Sequence, residues 1–517
     1  MKTAAGYIFS FLLIFIPTWG LKAQNSIQAQ NLDIYFTKSI EKWQVPGMAV
    51  AILKNDTLQL LKGYGVKEIG KPGKIDENTL FAVASNTKSF TATAMAMLVD
   101  EGKLSWDDKV VKFLPWFRLY DPYVSLNMTI RDLLSHRSGL QTFSGDLIWY
   151  GSTYSRDEII ERASKLKPVY GFRTNYGYSN IMYLTAGQII AKVSGMSWDE
   201  FIKERILIPL GMKNTNTSVT ELNLKGNTSI PHNDVNDSII AIKYLNWDNI
   251  GPAGSINSSA SDMIKWLQFQ LHKGKLESKE LVSEKSLREL WTPQTIQKVS
   301  PFSEKLWPTT HFKSYGMGWG LMDYYGKKII SHSGGYDGMI SFSAFVPEAN
   351  LAFVILTNKN SSLYYPLSYK ILDTYLSSDT TDWSTIIFDM MEKNKATELE
   401  AAKAENLQRL KNTSPTLPLD SYTGSYVSEI YGEVKVELRD SELFMSFTPT
   451  PMFHSSMEHW QYNTFSIKFP EVPSLPEGKA TFILGPESEV EKLFIDVPNP
   501  DFDFTELDFI RQKPGLK

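Results

Sequence analysis

The chain has 517 residues, 42% of them hydrophobic and 13% aromatic, enough for two or three domains with sizeable cores. Its 53 basic and 57 acidic residues are interspersed and leave a net charge of −4, so no basic stripe is available for nucleic acid. It contains no cysteine, which excludes disulfides, a thiol nucleophile and thiolate metal sites.

Residues 1–23 read as an export signal. Lys2 gives a positive start, Tyr7 to Trp19 is an apolar run broken by Pro17, and Leu21-Lys22-Ala23 offers a small residue for cleavage. The run is short for a bilayer span, so no membrane span is expected after cleavage. The absence of cysteine suits a bacterial periplasm, and the expected location is periplasmic or secreted.

Gly47 to Lys54 reads as a strand, Asn55-Asp56 as a turn and Thr57 to Tyr64 as the second strand of a hairpin. Phe81 to Glu101 reads as a helix: Phe90, Ala94, Met97 and Leu98 recur at helical spacing and Gly102 ends it. From residue 105 to about 310, helical patterns such as Asp157 to Lys165, Ile181 to Ser194 and Ala260 to His272 are split by Pro and Gly loops. After Tyr315 the period changes. Lys328 to Ser331, Met339 to Phe345 and Leu351 to Thr357 read as strands, with turns at Gly334-Gly335 and Pro347 to Asn350. The simplest assembly is an α+β sandwich, an antiparallel sheet flanked by helices with a mainly helical insert between its halves.

Asp382 to Lys411 is charged and helix-prone, and Thr413 to Pro418 breaks it. From Tyr422 onwards, short β-rich runs at regular spacing predict a small barrel or sandwich. The expected divisions are a catalytic domain over 24–380, a helical linker over 381–415 and a β-domain over 416–517.

Three short motifs follow one another: Ser85-Asn86-Thr87-Lys88, Tyr178-Ser179-Asn180 and His332-Ser333-Gly334-Gly335. Singly each is weak, because Ser39/Lys42, Tyr244-Leu245-Asn246 and His272-Lys273-Gly274 repeat the patterns. Their order and context carry the signal. A helix puts residues three apart on one face, so Lys88 reaches Ser85. A buried lysine loses proton affinity and can serve as a base near neutral pH. Backbone N–H groups of Ser85 and Gly335 can form an oxyanion hole, with glycine allowing close approach. No H-E-x-x-H motif or histidine pair suggests a metal, no cofactor is implied, and no G-x-S-x-G elbow is present. His136 reads as part of a structural loop, and Trp149-Tyr150 with Tyr154 as core or pocket wall.

Over about residues 30 to 375 the chain resembles the serine β-lactamase and penicillin-recognising superfamily, in its class C, D-aminopeptidase and esterase branch. Beside the three motifs, Leu133 to Leu140, Pro209-Leu210-Gly211-Met212, Gly254-Ser255-Ile256 with Asp262, and Tyr315 to Trp319 carry the likeness. The resemblance implies that Ser85 is the acylated nucleophile and that Lys88 and Tyr178 share general-base and proton-shuttle work. It implies that Asn180 binds a substrate amide and that His332, with Ser333 and Gly334, lines the pocket. The C-terminal part resembles a small β-domain that often follows this catalytic domain.

The sequence departs from the β-lactamase pattern where the third motif begins with His332 instead of lysine. Neutral histidine anchors an anion less well, which favours esters, amides or D-amino-acid peptides over β-lactams. The expected partner is a small-molecule or peptide substrate, with the oligomeric state open. Two alternatives stand beside hydrolysis: transfer of the acyl group to an alcohol or amine, and a cell-wall-binding protein without turnover.

Overall fold

The computed structural model describes residues 27–512. The expected export signal lies outside the described residues. Among those residues no helix is long and apolar enough to cross a membrane.

An eight-stranded antiparallel sheet organises the first part of the chain. Its strands are β1 (Gly47–Lys54), β2 (Thr57–Gly65), β3 (Thr295–Gln297), β4 (Lys313–Tyr315), β5 (Gly320–Tyr324), β6 (Lys327–Tyr336), β7 (Met339–Val346) and β8 (Leu351–Thr357). The spatial order is β2-β1-β8-β7-β6-β5-β4-β3, so β1 pairs with β8 and closes the helical insert between the two halves.

The central strands are continuous apolar runs because both faces are covered. Ala49, Ala51 and Leu53 of β1 join one core, while Met48, Val50 and Ile52 join the other. Helices α1 (Ile27–Lys42) and α5 (Tyr364–Leu376) contribute to the second core. Helices α2 (Thr87–Asp100), α3 (Asn180–Ser194) and α4 (Ala260–Leu271) contribute to the first. Every residue of α2 from Thr87 to Leu98 is buried, as expected of a helix enclosed on all sides.

The expected helix from Phe81 starts later. Phe81–Ala82 is a short strand, Ala84–Asn86 is one 3₁₀ turn, and α2 follows at Thr87. The expected turn at Gly334-Gly335 is also displaced: β6 runs straight through the motif and turns at Asp337-Gly338. Glycines suggest a turn, but pairing with β7 keeps them extended.

Two tight hairpins fix which way β6 points its backbone. Tyr325-Gly326 joins β5 to β6, and Asp337-Gly338 joins β6 to β7. The closing pairs Tyr324–Lys327 and Tyr336–Met339 exchange hydrogen bonds, so odd-numbered residues of β6 face the β5 side. Strand β5 stops at Gly320, opposite Ser331. The N–H and C=O groups of Ser333 and Gly335 therefore point past the end of β5, into an open edge.

Helix α6 (Trp383–Gln408) leads to a closed barrel. Its eight antiparallel strands are β9 (Gly424–Ser428), β10 (Gly432–Arg439), β11 (Glu442–Phe447), β12 (His454–Gln461), β13 (Thr464–Ile467), β14 (Gly478–Leu484), β15 (Val490–Asp496) and β16 (Phe509–Arg511). Buried rings of Tyr426, Phe447, Phe465, Phe482 and Phe509 pack within it. The barrel docks onto the helical insert: Tyr154 OH donates to Tyr431 O at 2.7 Å, and Thr153 N donates to Pro449 O at 2.9 Å.

Candidate active site

Ser85 sits in the 3₁₀ turn that feeds α2, directly after Ala84, whose φ of +45° is unusual for a residue with a Cβ. A polar network fastens this turn to β7. Ser341 Oγ donates to Val83 O at 2.7 Å and accepts from Asn86 Nδ2 at 2.8 Å, while Ser343 Oγ donates to Asn86 Oδ1. Gly334 is the contact on β6. A Cβ there would stand 2.2 Å from Val83 O and 2.9 Å from Ser85 N, so only glycine lets β6 lie against the serine. The open-edge N–H of Gly335 and the N–H of Ser85 thus border one space.

Lys88 is wholly buried, one helical turn after Ser85. Its Nζ lies 3.0 Å from Ser85 Oγ, 2.7 Å from Asn180 Oδ1 and 2.8 Å from Ala253 O. Asn180 Oδ1 and Ala253 O can only accept. A neutral amine has two hydrogens and one lone pair, so those acceptors take both hydrogens and the lone pair is left for the Ser85 hydroxyl. Burial pushes the Lys88 pKa well below the ordinary lysine range, opposed in part by the charge of Asp146.

Asn180 is the link. Its Nδ2 donates to Asp146 Oδ2 at 2.6 Å, and Trp149 Nε1 donates to the other oxygen of Asp146 at 2.8 Å. Burial raises the Asp146 pKa to about 7, against the pull of those hydrogen bonds and of Lys88. Asp146 is not legible as a site residue in the sequence, because nothing around it carries a pattern tying it to Asn180.

Tyr178 precedes α3 with its side chain beside Ser85 and its ring 4.7 Å from Lys88 Nζ. Burial pushes its pKa well above the ordinary value, so it is held as the phenol. Below it lies His136, with ring centroids 4.3 Å apart. Ser179 N donates to His136 Nδ1 at 3.1 Å, so the imidazole proton is on Nε2, and burial holds the ring neutral. His136 is a buttress for the second motif.

His332 is buried on β6. Its Nδ1 lies 2.5 Å from Ser333 O and so donates; its Nε2 therefore accepts from Tyr315 OH at 2.9 Å. Burial and Lys88 lower its pKa to about 3, and the ring is neutral. It brings no positive charge to the site.

These groups share one cavity of about 780 Å³. Ser85, Tyr178, Asn180, His332, Ser333, Gly334 and Gly335 all line it, with Lys88 beneath Ser85. Trp149 and Tyr150 form part of its wall, whereas Tyr154 bonds the barrel. The barrel contributes Ser474, Leu475 and Asn499 to Phe502, which no sequence motif marks.

A serine backed by a buried lysine and a phenol, beside an open strand edge, is an arrangement suited to acyl transfer. Residues 32–373 match the Beta-lactamase family, and the chain belongs to it. Residues 408–511 match a domain of unknown function, DUF3471. Among curated proteins, the chain is 27% identical over 421 residues to Unguisins hydrolase ungD' of Aspergillus campestris, covering 77% of this chain and 76% of that one. It is also 27% identical to Protein flp of Staphylococcus aureus strain MW2, covering 67% and 66%. Two solved structures share the fold. The octameric penicillin-binding protein homologue from Pyrococcus abyssi superposes with a TM-score of 0.62 at 20% identity, covering 93% of this chain and 99% of that one. A D-stereospecific amidohydrolase from Streptomyces superposes at 0.54 and 22% identity, covering 69% and 100%.

Proposed function

We propose that the protein is an exported hydrolase that cleaves an ester, an amide or a D-amino-acid peptide bond through an acyl-enzyme on Ser85. The observation that carries this reading is the three-way setting of Lys88, whose two fixed acceptors leave its lone pair for the serine hydroxyl. Ser85 Oγ attacks the carbonyl carbon as its proton passes to Lys88 Nζ. The oxyanion is held by the N–H groups of Ser85 and Gly335. Tyr178, a phenol beside Ser85, relays the proton to the leaving group as the bond to it breaks. Water then attacks the acyl carbon, the same base takes its proton, and the acid and free Ser85 are released.

Asn180 has a second amide hydrogen beyond the one given to Asp146, available to a substrate carbonyl. The neutral state of His332 supports a substrate without a carboxylate beside the scissile bond, which sets this site apart from one tuned to β-lactams. An amide or D-peptide substrate is also in keeping with the shared fold of the D-stereospecific amidohydrolase.

The test is a panel of esters, D-amino-acid amides, muropeptides and a chromogenic cephalosporin, run on wild type and Ser85→Ala. The reading expects turnover among the first three that Ser85→Ala abolishes. Turnover unaffected by that substitution would overturn it.

A further inference from the structure

Exposed apolar side chains gather on one surface of the helical insert. Pro122–Asn127 is a short helix whose Val124 is buried, while Tyr123 and Leu126, three residues apart and so on one face, are 66% and 60% exposed. Tyr120, at the same spacing before them, is 53% exposed. Ser125 Oγ accepts from Leu119 N at 2.8 Å and donates to Leu119 O at 3.1 Å, which holds the loop carrying Tyr120 and Trp116 against this helix. None of these four exposed side chains lines the cavity. Singly such residues are ordinary on a surface, but four within Trp116–Leu126 make a patch that marks a contact.

The rim of the patch is basic. Arg173 donates to Asn127 O at 3.1 Å, with its guanidinium 4.3 Å from the Phe172 ring, and Lys109 Nζ donates to the same carbonyl at 3.1 Å. Arg118, inside the loop, donates to the carbonyls of Pro115 and Phe117. Asp107 is held by Arg131 and Asp108 by Lys112, while buried Asp132 is shared by Arg137 and Arg173, a surplus of one cation. Asp121, which caps the helix by accepting from Tyr123 N, stands against that surplus and against Lys109 and Arg118. The surface is therefore positive on balance, in a chain whose net charge is −4.

We propose that this surface docks the protein reversibly on a bilayer containing anionic phospholipid. Tryptophan and tyrosine rings settle at the level of the headgroups, leucine reaches the acyl boundary, and lysine and arginine meet the phosphates. A second copy of the chain is the poorer occupant, because a two-fold contact would set these positive charges against themselves. Arg173 precedes Tyr176 of the cavity wall by three residues, which sets that wall within about 10 Å of the patch. The docked protein thus holds one side of its cavity near the headgroups. The inference is independent of the acyl-enzyme reading, since no residue of the patch takes part in that chemistry.

Because the chain has no cysteine, a single one can report on the patch. The full chain with Leu126→Cys, labelled with the environment-sensitive fluorophore NBD, is titrated with vesicles of phosphatidylcholine alone and of equal parts phosphatidylcholine and phosphatidylglycerol. Emission is expected to rise and shift to the blue with the anionic vesicles and far less with the neutral ones. The same label at Ser456→Cys, exposed on the barrel, is expected to stay unchanged. Adding Tyr120→Ser and Tyr123→Ser, whose side chains are mostly in solvent and so leave Tm unchanged, should weaken the partition coefficient about tenfold or more. Raising salt from about 0.05 M to about 0.5 M should weaken it several-fold. No response at residue 126, an equal response at residue 456, or undiminished binding by the double serine variant overturns the proposal. A rise in emission with protein concentration in the absence of vesicles would give the surface to a second copy and overturn it as well.

Discussion

Asn180 Oδ1 accepts a hydrogen bond from Lys88 Nζ at 2.7 Å, across 92 residues of sequence, while the same amide donates to Asp146. The amide is thus a bridge between the base and a buried carboxylate. It fixes where the Lys88 hydrogens point, and the carboxylate behind it partly offsets the burial that loosens the Lys88 proton.

Asp146→Asn tests that bridge. Lys88 must lose a proton to work, so kcat/KM rises with pH through the titration of the Lys88–Asp146 pair. The charge of Asp146 raises the Lys88 pKa, and its removal lowers it further. The acid limb of log kcat/KM against pH is expected to move to lower pH, with a reduced plateau from lost orientation. A limb that stays in place or moves up would show that Asp146 does not act on Lys88.

Lys88→Ala and Tyr178→Phe are each expected to slow acylation by roughly a hundred- to ten-thousandfold. Lys88 bonds the Ser85 hydroxyl and Tyr178 lies beside it, and the proposed mechanism makes them one proton-transfer unit. The double variant should therefore be little worse than the poorer single one. Stopped-flow acylation rates decide; losses that multiply in full would mean independent roles.

His332→Lys addresses specificity. The neutral ring gives a substrate carboxylate nothing to pair with, whereas a lysine there would add a positive charge. The ratio of kcat/KM for matched anionic over neutral substrates should rise about tenfold, since a charged hydrogen bond is worth roughly 1.5–3 kcal/mol before desolvation is subtracted. An unchanged ratio would place residue 332 out of reach of the substrate carboxylate.

Gly334→Ala should damage both stability and rate. Its Cβ would meet Val83 O, Ser341 Oγ and Ser85 N at 2.2, 2.5 and 2.9 Å, so the serine turn must move. The expected loss is about 1–3 kcal/mol of stability with a large fall in kcat. Gly335→Ala meets only Ile340 Cδ1 at 3.7 Å, so its Tm should fall less. Thermal melts of the two variants give the comparison; equal shifts would contradict the packing.

Much of the fold is legible in the sequence. The strands at Gly47 and Leu351 are dense apolar runs and the one at Thr57 alternates, and these patterns locate them. The motif order brings Ser85, Lys88, Tyr178 and His332 to one cavity. Strands β3 and β4 escape such reading because each has three residues and is held by pairing with neighbours rather than by its own pattern. Asp146 and Asn86 escape it for a related reason. Their importance lies in partners 34 and more than 250 residues away, Asn180 and Ser341, which only the fold brings near. The barrel's part in the cavity is hidden likewise, since Ser474 and Phe502 lie on loops whose composition carries no chemical signature.

Whether Ser85 carries the acyl group is measured most directly by treating the full chain with a fluorophosphonate probe, followed by peptide mass spectrometry at several pH values. The account predicts a single adduct on Ser85, formed faster as pH rises and Lys88 loses its proton, and absent from Ser85→Ala. An adduct on another serine, or labelling that persists in Ser85→Ala, would contradict it.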